Sequence, residues 1–355
     1  MTDHVDIFKN SPMRLASRAS QLAMAQAEMV CAALAPTAVT VRPVTTSGDR
    51  ILDRPLIEAG GKGLFIKELE RSLLAGEADL AVHSMKDMEA HFAPHTEIGA
   101  VLAREDRRDA LIGDYQSIDD LPEAAVVGTA SVRRAAILLH QRPDLEIKLI
   151  RGNINRRLSL LANGEFDAIV LAVAGIKRLG LDVPFSPIDP AIMPSAVAQG
   201  ALAVQIRTPF DDRSEAVKHL VSALTCADSL AEVTAERALL AFLDGSCQTP
   251  ICASARLTRS DRENSLCLDG MILSLDGRAA HRLQLDAPAD DAVALGPSSS
   301  APSSSSSSAA GIGAAALAPA ALPALAALVP PSPAGLPPPP PPPAFFHRHP
   351  LPGLR

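Results

Sequence analysis

The chain has 355 residues, 47% of them hydrophobic, and a net charge of −7, a composition that suits a globular protein and argues against nucleic acid or acidic membranes as partners. Aromatic residues make up 3%, with no Trp and one Tyr, which leaves few platforms for stacking bases. Five scattered cysteines without a CxxC pair predict neither a disulfide framework nor a metal site, and MTDHVDIFKNSPMRLASR at the start lacks the apolar core of an export signal.

From Met13 onward, β-like runs alternate with amphipathic helices. SQLAMAQAEMVCAAL predicts a helix with Ser20 near its N-cap. TVRPVTTSGD predicts a strand entering a turn, GLFIKELERSLLAGE a helix, and ADLAVHS a buried strand. The alternation repeats as AAVVGTAS into VRRAAILLHQ, EIKLIRG into NRRLSLLANGE, and FDAIVLAVAG into IKRLG. Such a pattern predicts an α/β sheet covered by helices on both faces, with ligands at the carboxyl ends of the strands. The polar signatures HSMKD, GTAS and RGN fall at those ends.

After about Val221 a helical stretch, EVTAERALLAFL, leads to the turn LDGSCQTP, which carries Cys247, and then to β-like runs such as LCLDGMILSLDG. These predict a smaller α+β domain. From Pro297 to Arg355 there is no Asp, Glu or Lys, only Ser runs, Ala/Leu stretches and the prolines 337–343. That composition predicts a disordered or polyproline tail. Its abrupt onset resembles a reading-frame slip in GC-rich coding sequence, with a genuine low-complexity extension as the competing reading.

Arginines cluster at Arg133–Arg134 and at Arg151, Arg156 and Arg157, which in an acidic chain points to a small polyanion held in a cleft; solvated helix faces are the alternative. GGKGLF lacks the spacing of a phosphate loop, and GxGxxG, HExxH and GxSxG are absent. A Schiff-base role for Lys86 is disfavoured, because the neighbouring Asp87 and Glu89 are expected to raise its pKa.

Nine signatures occur in order: RLASRASQLAMAQA, TSGD, GGKGLFIKELE, AVHSMKD, GTASVRR, RGNINRRL, LAVAGIKRLG, AVAQGA and DGSCQTPI. Together, over about residues 13–290, they resemble the hydroxymethylbilane synthase, or porphobilinogen deaminase, family. The resemblance implies two periplasmic-binding-protein-like α/β domains around a cleft, 13–105 plus 198–220 and 106–197, with an incomplete α+β domain at 221–292 and the tail at 297–355. It implies a cytoplasmic, monomeric transferase (EC 2.5.1.61) that joins four porphobilinogens head to tail with loss of ammonia. The rival from another class is a non-catalytic anion-binding protein of the same fold, which has no use for Cys247 or Asp87.

By the same resemblance, Cys247 carries a dipyrromethane cofactor through a thioether. Lys86, Arg133 and Arg134 hold its carboxylates, helped by Ser84, Thr129 and Ser131, with Asp87 alongside. Arg157 serves both cofactor and growing chain, and Arg18, Ser20, Arg151, Gln199 and Gly200 bind substrate. Each pyrrole carries an acetate and a propionate, so these ligands are polyanions suited to guanidinium forks. Asp87 is the expected catalytic residue: once ammonia has left an electron-poor azafulvene, bond formation places positive charge on pyrrole nitrogens, which a fixed carboxylate stabilises. An Asp87–Lys86 pair is the structural alternative. Gly60–Gly63 resembles a mobile loop over the site, Arg178 either nears the growing chain or caps its helix, and His83 is expected to be a packed strand-end residue. Ser246 and Ala198 stand where the family pattern has glycine. The family's closing C-terminal helix is replaced by the tail, which predicts an uncovered apolar face.

Overall fold

A computed structural model describes residues 5–51, 63–243, 245–246, 249–259 and 264–288. In chain order the first elements are β1 (Met13–Arg18), α1 (Gln21–Ala33), β2 (Val39–Val44), α2 (Ser47–Arg50), α3 (Lys67–Leu74), β3 (Leu80–Ser84) and β4 (Thr96–Val101). There follow β5 (Asp109–Ile112), β6 (Val126–Gly128), α4 (Val132–Gln141), β7 (Glu146–Lys148), α5 (Ile154–Ala162), β8 (Ala168–Ala172), α6 (Val173–Arg178) and β9 (Ser186–Pro187). The chain continues through β10 (Leu202–Arg207), α7 (Asp212–Ser222), α8 (Ala227–Phe242), β11 (Ile251–Thr258), β12 (Ser265–Leu273) and β13 (Ala280–Pro288).

Two five-stranded sheets form two lobes, ordered β2-β1-β3-β10-β4 and β7-β6-β8-β5-β9, and an antiparallel sheet β11-β12-β13 forms a third unit. The architecture is therefore the expected pair of α/β lobes with a smaller α+β unit. Strands β1, β2 and β3 are parallel, as are β6, β7 and β8. The alternation had pointed to parallel sheets, but both are mixed: β10 runs antiparallel to β3 and β4, and β5 antiparallel to β8. In each case the inserted strand lies between neighbours that are distant in sequence.

The helices start where side chains can accept their first amide protons. Ser20 caps α1 through the Ala23 N–H, and Asn153 of the RGN signature caps α5 through the Arg156 N–H at 2.9 Å. The strand ends and helix starts that bear the signatures thus face the space between the lobes. Behind them, Leu15, Leu80 and Val204 lie in the buried core of the first lobe, and Leu111, Val127 and Val170 in that of the second.

The third unit packs against both lobes. Cys252, Met271 and Leu273 join the core of the second lobe, while Leu239, Leu240 and Ala253 pack with Met85, Met88 and Val101 of the first. Its helix α8 holds the two chain crossings between the lobes through fully buried Glu236. That carboxylate accepts hydrogen bonds from Arg104 Nη1 and Nη2 at 2.7 and 3.0 Å on one crossing. It also accepts the Ala198 N–H at 2.6 Å on the other, and the Ala255 N–H at 2.8 Å. Ala198, where the family pattern has glycine, has φ +56°, so its Cβ sits in the left-handed region at a strain of roughly 1–2 kcal/mol. Beside it, Gly200 has φ +91° and lies so close to the Glu105 carbonyl that a Cβ would meet it at 2.4 Å.

On β13, Leu283 and Leu285 are half-buried against the core shared with α8, and β13 pairs with β12 alone among the described strands. The tail at 297–355 and residues 60–62 of the glycine loop lie outside the described residues.

Glu236→Gln should destabilise the protein by about 3 kcal/mol, because two guanidiniums would lose a buried counter-charge. Lys177→Ala, which removes a half-exposed pair with Glu105, should cost under about 0.5 kcal/mol. Urea unfolding midpoints check both, and equal costs would contradict the assignment of Glu236 to the crossings.

Candidate active site

Between the lobes lies a cavity of about 720 Å³, large enough for a multi-ring ligand. Its walls include Arg18, Ser20, Ser84, Lys86, Asp87, Ser131, Arg133, Arg134, Arg151, Arg157, Arg178, Gln199 and Gly200. Nearly every residue expected at the site is thus brought to one space. Thr129 is the exception: it is buried behind the wall, and its hydroxyl accepts the Ser131 N–H at 3.1 Å. Cys247 lies outside the described residues, but Ser246 and Thr249 on either side of it line the cavity.

Lys86 and Asp87 stand on a short turn directly after β3. They do not form the alternative pair. Lys86 Nζ donates to Gln199 Oε1 at 3.0 Å, while Asp87 lies 3.8 Å from Arg18 Nη1. The expected upward shift of Lys86 is also reversed. Burial and the nearby Arg134 outweigh Asp87 and Asp109 and push the Lys86 ammonium down to about 8. Sequence neighbours misled because the lysine is partly withdrawn from solvent in the cavity wall and the second lobe supplies guanidiniums from far along the chain.

Arg133 and Arg134 start α4, whose N-cap is Ser131. Both are buried on Asp109, a residue that sequence reasoning missed: Arg133 Nη2 donates to Oδ2 at 2.5 Å and Arg134 Nη2 to Oδ1 at 2.7 Å. Burial would raise the Asp109 carboxyl, but the two guanidiniums hold it well below the carboxylate range. Arg157 donates through Nε to the Gly152 carbonyl, and burial with Arg134 and Arg151 nearby lowers it to about 10. Arg151 reaches the Ile51 carbonyl at 2.9 Å.

On the first lobe, Arg18 is paired with Asp49 and stacked over the Phe65 ring, 4.1 Å from its centroid. Ser84 exchanges hydrogen bonds with buried Gln26 at 2.9 and 3.2 Å. Asp49, Phe65 and Gln26 were not foreseen, although Asp49 belongs to the quoted TSGD and Phe65 to GGKGLF. Arg178 lines the cavity and donates to the Gly200 carbonyl at 2.6 Å. The site is therefore strongly cationic and rimmed by few carboxylates, and it suits a polyanion.

Two family models match the chain: "Porphobilinogen deaminase, dipyromethane cofactor binding domain" over residues 13–216, and "Porphobilinogen deaminase, C-terminal domain" over 230–301. The chain belongs to the porphobilinogen deaminase family. Its activity is that of a hydroxymethylbilane synthase, a transferase that condenses porphobilinogen on a dipyrromethane cofactor in tetrapyrrole biosynthesis. Among solved structures, it is similar to an amino acid ABC transporter substrate-binding protein AbpA from Streptococcus pneumoniae bound to L-arginine. That match has 13% identity and a TM-score of 0.33 over 62% of this chain and 91% of the other. The periplasmic VFT2 domain of Bordetella pertussis BvgS matches with 13% identity and a TM-score of 0.33, over 62% of this chain and 92% of the other. Matches this loose carry no argument about the porphobilinogen deaminase site. No described helix is long and apolar enough to cross a membrane.

The cofactor's rings carry acetate and propionate groups, and the cleft offers Lys86, Arg134, Arg151 and Arg157 as cations whose pKa values are lowered by burial and by neighbouring guanidiniums. The residues fit the group. His83, behind this wall on β3, is held down to about 4, chiefly by burial. It is neutral and packed, as expected. Because its folded value lies below the unfolded value of 6.5, the unfolded chain binds the extra proton between these limits. Stability should therefore fall as pH drops from about 6.5 to about 4. In His83→Gln this component should be missing from unfolding curves taken across that range, and unchanged pH dependence would contradict it.

Proposed function

We propose that Cys247 is the attachment point of the dipyrromethane, held by a thioether, and that the cleft residues act on the anionic chain built from it. What carries this reading is the convergence of cations from both lobes on a cavity that the two flanks of Cys247 also line. The bound cofactor supplies the pyrrole terminus on which each new ring is placed.

Lys86, Arg133 and Arg134, with Ser84 and Ser131, orient the carboxylates of the cofactor, and Thr129 acts from behind by fixing Ser131. Arg157 stands between the cofactor carboxylates and the growing chain. Arg18, Ser20 and Arg151, with Gln199 and Gly200 on the crossing, form the substrate-binding side. Asp87 sits at the end of β3 beside Arg18, its side chain 34% exposed to the cavity. There it stabilises positive charge that develops on a pyrrole nitrogen and holds the proton of that N–H, while the buried cations bind the same molecule by its carboxylates. Division of labour follows from sign: guanidiniums bind the periphery, and the Asp87 carboxylate faces the reacting rings. The functional units are 13–105 with 198–220, 106–197 and 221–292, acting in a cytoplasmic monomer that performs the EC 2.5.1.61 reaction with porphobilinogen as its partner and without nucleic acid or membrane.

Purified protein incubated with porphobilinogen should release hydroxymethylbilane. Cys247→Ser should abolish turnover and leave the protein without added mass. Asp87→Asn should keep the adduct and lose about 10²-fold or more in kcat. Full turnover by Cys247→Ser would overturn the attachment, and wild-type kcat in Asp87→Asn would overturn the role of the carboxylate.

A further inference from the structure

The cations of the cleft share one support. Asp109 opens β5 in the second lobe, is fully buried, and is not among the residues that line the cavity. Its Oδ2 accepts from Arg133 Nη2 at 2.5 Å. Its Oδ1 accepts from Arg134 Nε and Nη2 at 3.1 and 2.7 Å, and from Gln199 Nε2 at 2.9 Å. The Gln199 amide then passes the connection across the lobes, because its Oε1 accepts from Lys86 Nζ at 3.0 Å. Backbone carbonyls complete the set: Pro194 for Arg133 Nη1 at 2.6 Å, Val170 for Arg134 Nη1 at 2.8 Å, and Arg107 for Gln199 Nε2 at 2.8 Å.

This is not a balanced structural ion pair. Three cations converge through one carboxylate, so positive charge is left over at the cavity wall, where Lys86 and Arg134 stand. Arg134 has five N–H donors, and Nε, one hydrogen of Nη1 and one of Nη2 are committed to Asp109 and Val170. Two remain. Their direction is set because the other three are held along two edges of the planar guanidinium. A fork fixed in this way meets a carboxylate without first losing rotamer freedom.

We propose that Asp109 is a positioning residue of the reaction: it fixes Arg133 and Arg134, and through the Gln199 amide Lys86, as a single array of cations facing the ligand's carboxylates. This rests on the role given to those cations above. Asp109 touches neither cofactor nor substrate. Without its charge the two adjacent guanidiniums repel each other, and the link between the second lobe and Lys86 loses its anchor.

The test uses the full chain as wild type, Asp109→Asn and Gln199→Ala, with porphobilinogen as the probe. Four readouts are compared: the fraction carrying the cofactor adduct by intact mass, kcat, KM, and the thermal midpoint. For folded Asp109→Asn, a loss of about 10- to 100-fold in kcat/KM is expected, together with a reduced adduct fraction, by analogy with groups that orient the ligands of other sites. Gln199→Ala should lose function in the same direction with less effect on the thermal midpoint, since it leaves the buried Asp109–arginine contacts in place. A merely structural Asp109 would give a lowered midpoint with wild-type adduct fraction, kcat and KM in the folded protein, and that result overturns the proposal. If Asp109→Asn does not fold, Gln199→Ala in the unloaded Cys247→Ser background decides through the titration midpoint of Lys86, which a lost substrate contact would not move: an unchanged midpoint overturns the coupling to Lys86, and a lowered one supports it. An active, loaded wild type beside unaffected variants refutes this inference alone. An unloaded and inactive wild type refutes the proposed function with it.

Discussion

Surplus positive charge, buried between two lobes and only partly offset by carboxylate, is the constraint around which this molecule is arranged. Moving a cation out of water is costly unless a counter-charge or an acceptor set replaces the lost hydration. Here Asp109 and a few backbone carbonyls stabilise Arg133 and Arg134, while Arg157, which donates to the Gly152 carbonyl, is lowered to about 10 by burial and neighbouring guanidiniums. An acidic chain thus concentrates its cations where few anions of its own can reach them. A ligand bearing several carboxylates completes the site, and the cofactor and product of this family are such molecules.

The same device is used in the opposite sense at the lobe crossings. Glu236 is an anion surrounded by Arg104, Arg107 and two backbone amides, so its charge is fully answered from within the protein. That network ties α8, and so the start of the turn that bears Cys247, to both strands of chain joining the lobes. Placement of the start of this turn and placement of the lobes are therefore mechanically linked. Strain at Ala198, which the family pattern would give to glycine, sits at that joint and is held there by the bond from its own amide to Glu236.

Much of this was legible in the sequence because parallel strands and their following helices write themselves locally. Each strand end with its polar signature, such as HSMKD or GTAS, fell at the cleft. Ser20 capped its helix and His83 packed as foreseen. The antiparallel strands β5 and β10 were not legible, since their neighbours in the sheet come from distant stretches of chain. Asp109 was missed for the same reason: nothing near it in REDRRDALI announces Arg133, Arg134 and Gln199 as partners. Lys86 shows the failure most plainly. Its adjacent acids argued for a raised pKa, yet enclosure and arginines from the other lobe lower it.

The most direct test of the account is the titration of Lys86 with and without the anionic group in the cleft. Competitive acetylation read by mass spectrometry would give its midpoint in cofactor-loaded wild type and in unloaded Cys247→Ser. The unloaded protein should titrate near the value of about 8 set by burial and by Arg134. Loading should raise the midpoint by about one unit or more, as carboxylates answer the surplus charge. An unchanged or lower midpoint in the loaded protein would mean that the cations of the cleft do not hold the cofactor's carboxylates, and the account would fall with it.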